Sequence, residues 1–329
     1  MGNYTVGLVG AGGIANSHLP AWLALGVDVV VFSIDGAAPA LVERHGGGRV
    51  VESYEELLAA SDAVDICTPT FTHRDLVIEA AEAGKNIVCE KPLALSEADT
   101  AEMIEACDRA GVQLYPAHVV RYFPEYVAMH DAIADGGIGT LAVQRFLRAG
   151  SAPAAPWFSQ KELSGGLVMD QMIHDLDFAR WNAGEVTQVY ATESPSLRED
   201  GAPEPLTAQV ILTHESGTVS YVTGVWSRRP IAFQTRFEVA GDAGLLQHDS
   251  LGNPPIAFNG STDEVSGYQP TTRFSESPYL TEIREFHQAF LGGPTPRVDA
   301  ADGLAAVALA AAALKSIETS APVTMATNR

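Results

Sequence analysis

Basic residues are scarce in this sequence. Twenty Lys and Arg stand against 41 Asp and Glu over 329 residues, a formal charge of −21 at neutral pH. A surface of that sign repels phosphate backbones and anionic lipid headgroups, so neither nucleic acid nor a membrane surface is expected as a partner. Cysteine is nearly absent as well. Cys67, Cys89 and Cys107 are too few and too apolar in their surroundings for a disulfide framework, which fits a reducing compartment and ordinary core packing. No apolar run is read as reaching the roughly 20 residues that span a bilayer, and the N-terminus shows no charged segment leading into a cleavable apolar stretch. Met1-Gly2 is not followed by the Ser or Thr that myristoylation needs, Val6 standing at that position. A cytoplasmic location is the resulting expectation.

What is present is a change of rhythm. The chain is longer than one hydrophobic core usually serves, so two domains are expected. Up to about residue 119 the spacing predicts strands over 4–9, 28–33, 63–68, 86–89 and 112–116, with helices over 14–25, 73–83 and 96–110 between them. Such alternation predicts a doubly wound α/β domain over 1–119, its parallel sheet covered on both faces. Beyond it, strands over 141–148, 187–193, 206–213, 218–225 and 232–240 follow one another, several of them through short turns. They predict an α+β domain over 120–329 with a mostly antiparallel sheet and helices over 124–135, 166–181, 278–291 and 300–319. Residues 253–272, with their Gly, Pro and Ser, read as an exposed excursion of undisclosed purpose.

The first strand runs into Gly10-Ala11-Gly12-Gly13-Ile14-Ala15, which opens the first helix. Gly10 permits a sharp turn, Gly12 lets the backbone approach a pyrophosphate, and Ala15 keeps helix and strand close; Gly13 and Ile14 complete a phosphate-binding helix N-terminus. Roughly 20 residues on, a carboxylate at the end of the second strand holds the ribose 2′-hydroxyl of NAD, whereas NADP needs a basic side chain there. Ser33-Ile34-Asp35 supplies Asp35 and no Lys or Arg before Arg44. NAD is favoured, and NADP stays open through Ser33.

Glu90-Lys91-Pro92 closes a parallel strand at its C-terminal end, where doubly wound sheets bind their ligands. A lysine there can hold a substrate hydroxyl and stabilise the alkoxide that develops as hydride leaves. In the predicted helix over 166–181, Asp170 and His174 are four residues apart and share a face, with Asp177 and Trp181 continuing the stripe and Met169, Met172, Ile173 and Leu176 opposite. Imidazole takes a hydroxyl proton near neutral pH, and Asp170 can orient it. A turn lysine and a surface ion pair are the competing interpretations. No second His or Cys lies at ligand spacing, so no metal is expected.

With these three motifs in this order, the sequence resembles the Gfo/Idh/MocA oxidoreductases along essentially its whole length. Thr68-Pro69 followed by His73 resembles the family's loop under the nicotinamide, and Ala83-Gly84-Lys85-Asn86-Ile87-Val88-Cys89-Glu90-Lys91-Pro92 matches its most specific stretch. The resemblance implies an N-terminal Rossmann domain, a second domain whose open-faced sheet joins homodimers or homotetramers, and an active site between them. It also implies NAD(P)-dependent transfer of hydride from a CH–OH group of a sugar, cyclitol or sugar derivative. Lys91 would bind the reacting hydroxyl, His174 act as acid and base, and Asp170 support it, with Thr68, Pro69, His73 and Glu90 at the cofactor. Arg121-Tyr122-Phe123-Pro124 resembles the segment bordering the site. Thr70 replaces a frequent Asn and Val119 a frequent polar residue, so His118, Arg121 and Trp157 are the candidate substrate contacts, and the loop over 152–161 carries specificity. A non-sugar substrate (a diol, imine or bilin) and a non-catalytic dinucleotide-binding regulator remain as alternatives.

Overall fold

The computed structural model describes residues 4–194, 206–252 and 276–326. Contacts divide the chain into two compact units, Met1–Phe123 with Phe274–Val307, and Pro124–Arg273 with Ala308–Arg329. Residues 274–307 therefore count with the first unit rather than with the second, where the sequence pattern had put them. The excursion over 253–272 lies outside the described residues.

In the first unit, β1 (Thr5–Val9), β2 (Asp28–Phe32), β3 (Arg49–Val50), β4 (Ala63–Ile66), β5 (Asn86–Glu90) and β6 (Leu114–Ala117) form a parallel sheet in the order β3-β2-β1-β4-β5-β6. Side chains alternate between its two faces. Val64, Ile66, Ile87 and Cys89 enter one core with α3 (Tyr54–Ala60), α4 (His73–Glu82) and α5 (Glu97–Ala110). Leu8, Cys67, Val88 and Ala117 enter the other with α1 (Ala15–Ala24) and α2 (Ala38–His45). The helix over 96–110 is stopped as its ends predict: the Ser96 side chain accepts from the Asp99 amide, and Gly111 takes the left-handed conformation at φ 68°. Strand order reverses between β1 and β4, which opens a crevice at the carboxyl ends of these strands.

The second unit contains α6 (Pro124–Ala134), α7 (Lys161–Ser164) and α8 (Ile173–Ala183). Its sheet comprises β7 (Leu141–Ser151), β8 (Val186–Glu193), β9 (Leu206–His214), β10 (Val219–Ser227), β11 (Gln234–Gly241), β12 (Leu245–Asp249) and β13 (Val323–Thr324), ordered β12-β11-β7-β10-β9-β8-β13. The pairing of β7 with β10 is parallel and the others are antiparallel. Along β10 the alternation is clean: Ser220, Val222, Gly224 and Trp226 are buried, and Tyr221 is exposed on the opposite face. At Gly224 a Cβ would stand 2.5 Å from Met172 Cγ, so the bare strand is what admits the segment preceding α8. That segment is not the start of one continuous α-helix. Val168–Met172 form a π turn that leads into α8.

Late in the chain, α9 (Pro278–Phe290) joins the core beside α1, and α10 (Ala300–Thr319) follows. By length and composition α10 is apolar enough to cross a membrane, with a mean hydropathy of 1.5, which corrects the expectation that no stretch reaches that length. Its alanines explain the value. Ala306, Val307, Leu309, Ala310 and Ala313 are buried, and Ser316 accepts the Ala191 amide of β8 at 2.9 Å, as in a core helix.

Candidate functional site

The glycine turn is built by close backbone approach. Gly10 has φ +97°, its amide donates to Phe32 O at 2.8 Å, and a Cβ there would stand 2.7 Å from the Cys67 carbonyl oxygen. Gly12 and Gly13 differ, since a Cβ at either meets nothing within 4 Å. Bare backbone facing open space at the mouth of a helix is what a pyrophosphate requires, so these residues fit a dinucleotide. Ile14 already has helical angles, φ −72° and ψ −30°, and carries the turn directly into α1. Asn16 steadies it by donating to Gly12 O at 3.0 Å, and its Oδ1 accepts from Arg44 at 2.7 Å and lies 3.1 Å from His45 Nε2. Sequence reasoning missed this tether, which brings a cation from α2 to the glycine turn.

Just past the end of β2, the Ser33 hydroxyl and the Ala37 amide both donate to Asp35 Oδ1. These bonds, Ser33 first, hold the Asp35 carboxyl below its usual range. Both fall on one oxygen, which leaves Oδ2 for a ribose hydroxyl. Ile34 between them is 97% exposed, an apolar side chain standing where an adenine ring would need cover. The sequence signal for it, an isoleucine just past a strand end, is indistinguishable from a loop residue.

From Ile87 to Ala94 every residue is buried except Lys91. Its neighbours are held from the inside. Glu90, expected at the cofactor, turns into the core: Oε1 lies 3.1 Å from His18 Nε2, and Oε2 accepts the Lys91 amide at 3.0 Å. His73, also expected there, is buried with Nδ1 3.0 Å from Pro92 O and Nε2 2.9 Å from Thr68 O. Burial lowers its pKa, against the two carbonyl contacts and the Glu90 charge, which raise it. The ring bridges the Thr68-Pro69 loop to the turn after Lys91. Thr68 and Pro69 are half-buried, and the Thr68 hydroxyl accepts from Thr72 at 2.7 Å.

Two expected substrate contacts are walled in. His118 and Arg121 are each 1% exposed, and Arg121 Nη1 donates to Arg297 O at 2.7 Å and to Asp302 Oδ2 at 3.0 Å. The guanidinium is committed to a buried latch on the start of α10, which corrects its assignment as a substrate contact.

In the second unit, every residue from Gly166 to Ala179 is buried except His174. Asp170 lies in the π turn, 3% exposed. A π turn bonds i to i+5, so the register assumed for a plain α-helix does not hold through it; such turns recur at functional sites. Gln171 ties the turn to β7 by donating to Arg148 O at 2.9 Å. Asp175, unremarked in the sequence, receives Arg148 in a two-pronged pair, 2.8 Å from Nε and 2.8 Å from Nη2. Desolvating both ions costs several kcal/mol, which only such paired geometry offsets. The pair pins α8 to β7 beside His174. Trp157 is half-buried and stacks on Phe158 at 3.7 Å. Phe158, Ala152, Pro153, Ser159 and Trp226 line a cavity of about 220 Å³, so the loop expected to carry specificity does wall a space.

Comparison with known proteins follows the same division. A family model described as an oxidoreductase family with an NAD-binding Rossmann fold matches residues 4–118, and the GFO/IDH/MocA C-terminal domain matches residues 126–247. Myo-inositol 2-dehydrogenase of Thermotoga maritima is 32% identical, over 95% of this chain and 96% of that protein. Inositol 2-dehydrogenase of Rhizobium meliloti is 33% identical, over 94% and 96%. Among solved structures, GenD2 from gentamicin A biosynthesis in complex with NAD superposes with a TM-score of 0.86 at 25% identity, covering 99% of this chain and 97% of that one.

Proposed function

Since the chain belongs to the Gfo/Idh/MocA oxidoreductase family, we propose that it is an NAD(P)-dependent dehydrogenase of a sugar, cyclitol or sugar derivative, with NAD favoured by Asp35. The bound nicotinamide supplies the hydride acceptor at C4. Lys91 donates a hydrogen bond to the reacting hydroxyl oxygen and stabilises the negative charge that grows there. His174 takes the hydroxyl proton, and Asp170 supports the charged imidazole; hydride and proton together account for the two hydrogens the alcohol loses.

One observation carries these assignments. Two stretches of otherwise buried chain, one in each unit, each leave a single side chain accessible, and these are Lys91 and His174. The inositol dehydrogenase relatives support the substrate class. The test is NADH formation across inositols and aldoses. Lys91→Ala and His174→Ala are expected to lose about 10²–10⁴-fold in turnover while still quenching on NADH binding. Wild-type turnover in both variants would remove the assignment, and a protein that binds NAD yet forms no NADH with any inositol or aldose would refute the sugar or cyclitol substrate.

The exposed Tyr190 and Tyr221 on the sheet face opposite α8 support a second copy of the chain packing there. Light scattering of wild type and Tyr221→Glu checks it: a dimer or tetramer that the variant dissociates is expected, and a monomeric wild type refutes it.

A further inference from the structure

A polar cluster interrupts the apolar layer between the six-stranded sheet and helices α1 and α9. Asp65 on β4 and Glu90 on β5 point into it, and His18 of α1, fully buried, stands between them. Its Nδ1 lies 2.9 Å from Asp65 Oδ2 and its Nε2 3.1 Å from Glu90 Oε1. Ionised carboxylates only accept, so the ring donates from both nitrogens and is an imidazolium. Burial is the largest single influence and opposes that charge, but the charge and hydrogen bond of Asp65, together with Cys67, hold the His18 pKa well above its ordinary value. Trp22 Nε1 donates to Asp65 Oδ2 at 2.6 Å, and the Cys67 thiol, kept protonated by burial, lies 3.6 Å from Asp65 Oδ1. From α9, Glu282 faces the same cluster; burial first, then the nearby Glu90 and Asp65 charges, push its carboxyl well above its ordinary pKa against the opposing pull of His18.

His18, Asp65 and Cys67 also bring ligand atoms within 4.8 Å of one another. Both ring nitrogens of His18 already meet carboxylate oxygens, at 2.9 Å and 3.1 Å, so the cluster is complete as a hydrogen-bonded chain. The connectivity of the cluster is more telling. α1 is the helix that the glycine turn opens, and β5 ends at Glu90, immediately before Lys91. His18 holds Glu90 by one oxygen, and Glu90 holds the Lys91 amide by the other. Apolar residues of similar shape often stabilise a core better than a buried ion triad, so stability alone does not account for it.

We propose that His18 is a positioning residue for the reaction: through Glu90 it fixes the Lys91 peptide, and so the direction of the Lys91 ammonium, relative to the helix that receives the pyrophosphate. The inference rests on Lys91 being the group that binds the reacting hydroxyl.

The experiment measures kcat, the KM for NAD and the dissociation constant for NADH in His18→Gln, Glu90→Gln, Lys91→Ala and their pairwise doubles. His18→Gln and Glu90→Gln are each expected to lower kcat about tenfold or more with NADH affinity within about threefold, and the double is no slower than either single. His18→Gln adds nothing to the residual rate of Lys91→Ala. Glu90→Gln keeps its shape and an oxygen for the Lys91 amide, so it reports even where His18→Gln does not fold. A Glu90→Gln enzyme with wild-type kcat overturns this inference alone, as does a His18→Gln loss that multiplies in full with that of Lys91→Ala. Wild-type turnover in Lys91→Ala overturns the role of Lys91, and this inference with it.

Discussion

Two glycines of the dinucleotide turn, two residues apart, should fail in opposite ways when each gains one methyl group. At Gly10 the backbone has φ +97°, and a Cβ would meet the Cys67 carbonyl oxygen at 2.7 Å and its carbon at 2.9 Å. Left-handed backbone costs an L-residue about 1–2 kcal/mol, and forcing a methyl against neighbouring main chain costs about 1–3 kcal/mol more. The sum is roughly 2–5 kcal/mol, which at about 2–4 °C per kcal/mol lowers the melting temperature of Gly10→Ala by roughly 4–20 °C. Gly12 lies outside the left-handed region, and its Cβ meets nothing within 4 Å. Gly12→Ala therefore melts within about 2 °C of wild type. Its methyl group instead enters the space a pyrophosphate must occupy, and NADH affinity falls about tenfold or more, or about 1.4 kcal/mol. Thermal melts followed by circular dichroism and NADH titration by fluorescence separate the two effects. A Gly12→Ala protein that binds NADH like wild type, or melts as early as Gly10→Ala, would refute the placement of the phosphates.

Three further outcomes follow from particular side chains. Asp35→Ala removes the carboxylate proposed to hold the ribose, and the ratio of kcat/KM for NAD over NADP should fall about tenfold or more; an unchanged ratio in steady-state assays with both cofactors argues against that role. Asp175→Asn leaves Arg148 buried without its counter-charge and should cost about 3–5 kcal/mol in urea unfolding, while Arg148→Met with Asp175→Leu recovers much of the loss; an equal loss in the double variant refutes the argument. Glu282 keeps its proton in the folded state well above the ordinary carboxylate range, whereas the unfolded chain gives that proton up within that range, so this group's contribution to stability is lost as pH rises through the folded pKa. Glu282→Gln removes that decline, so its melting temperature should gain on wild type as pH rises; parallel profiles would show that Glu282 does not titrate as described.

The parts that were legible in the sequence are those decided by near neighbours along the chain. Gly10, Gly12 and Ala15 state a turn because conformation and close approach act within a few residues, and the alternation of strands and helices up to Ala117 needs only local periodicity. Lys91 and His174 could be singled out by position, Lys91 at a strand end and His174 on a helix face, but not their setting. That each is the one accessible side chain in a buried stretch depends on what covers both sides of it. Charged residues defeated the local approach, because a charge is assigned to the surface by default. Asp65, Glu90, Asp175, Arg121 and Arg148 are instead buried, and each is tolerated there only because a distant partner arrives: His18 is 47 residues from Asp65 and 72 from Glu90, Arg148 is 27 from Asp175, and Arg121 is 181 from Asp302. Burial likewise bears on the site assignments. Arg121 and Glu90 were expected to touch ligands because the family resemblance implied it, yet both are turned inward. Position along the chain identifies where a reacting group emerges; the buried charges behind it, recruited from far away, decide how firmly it is aimed.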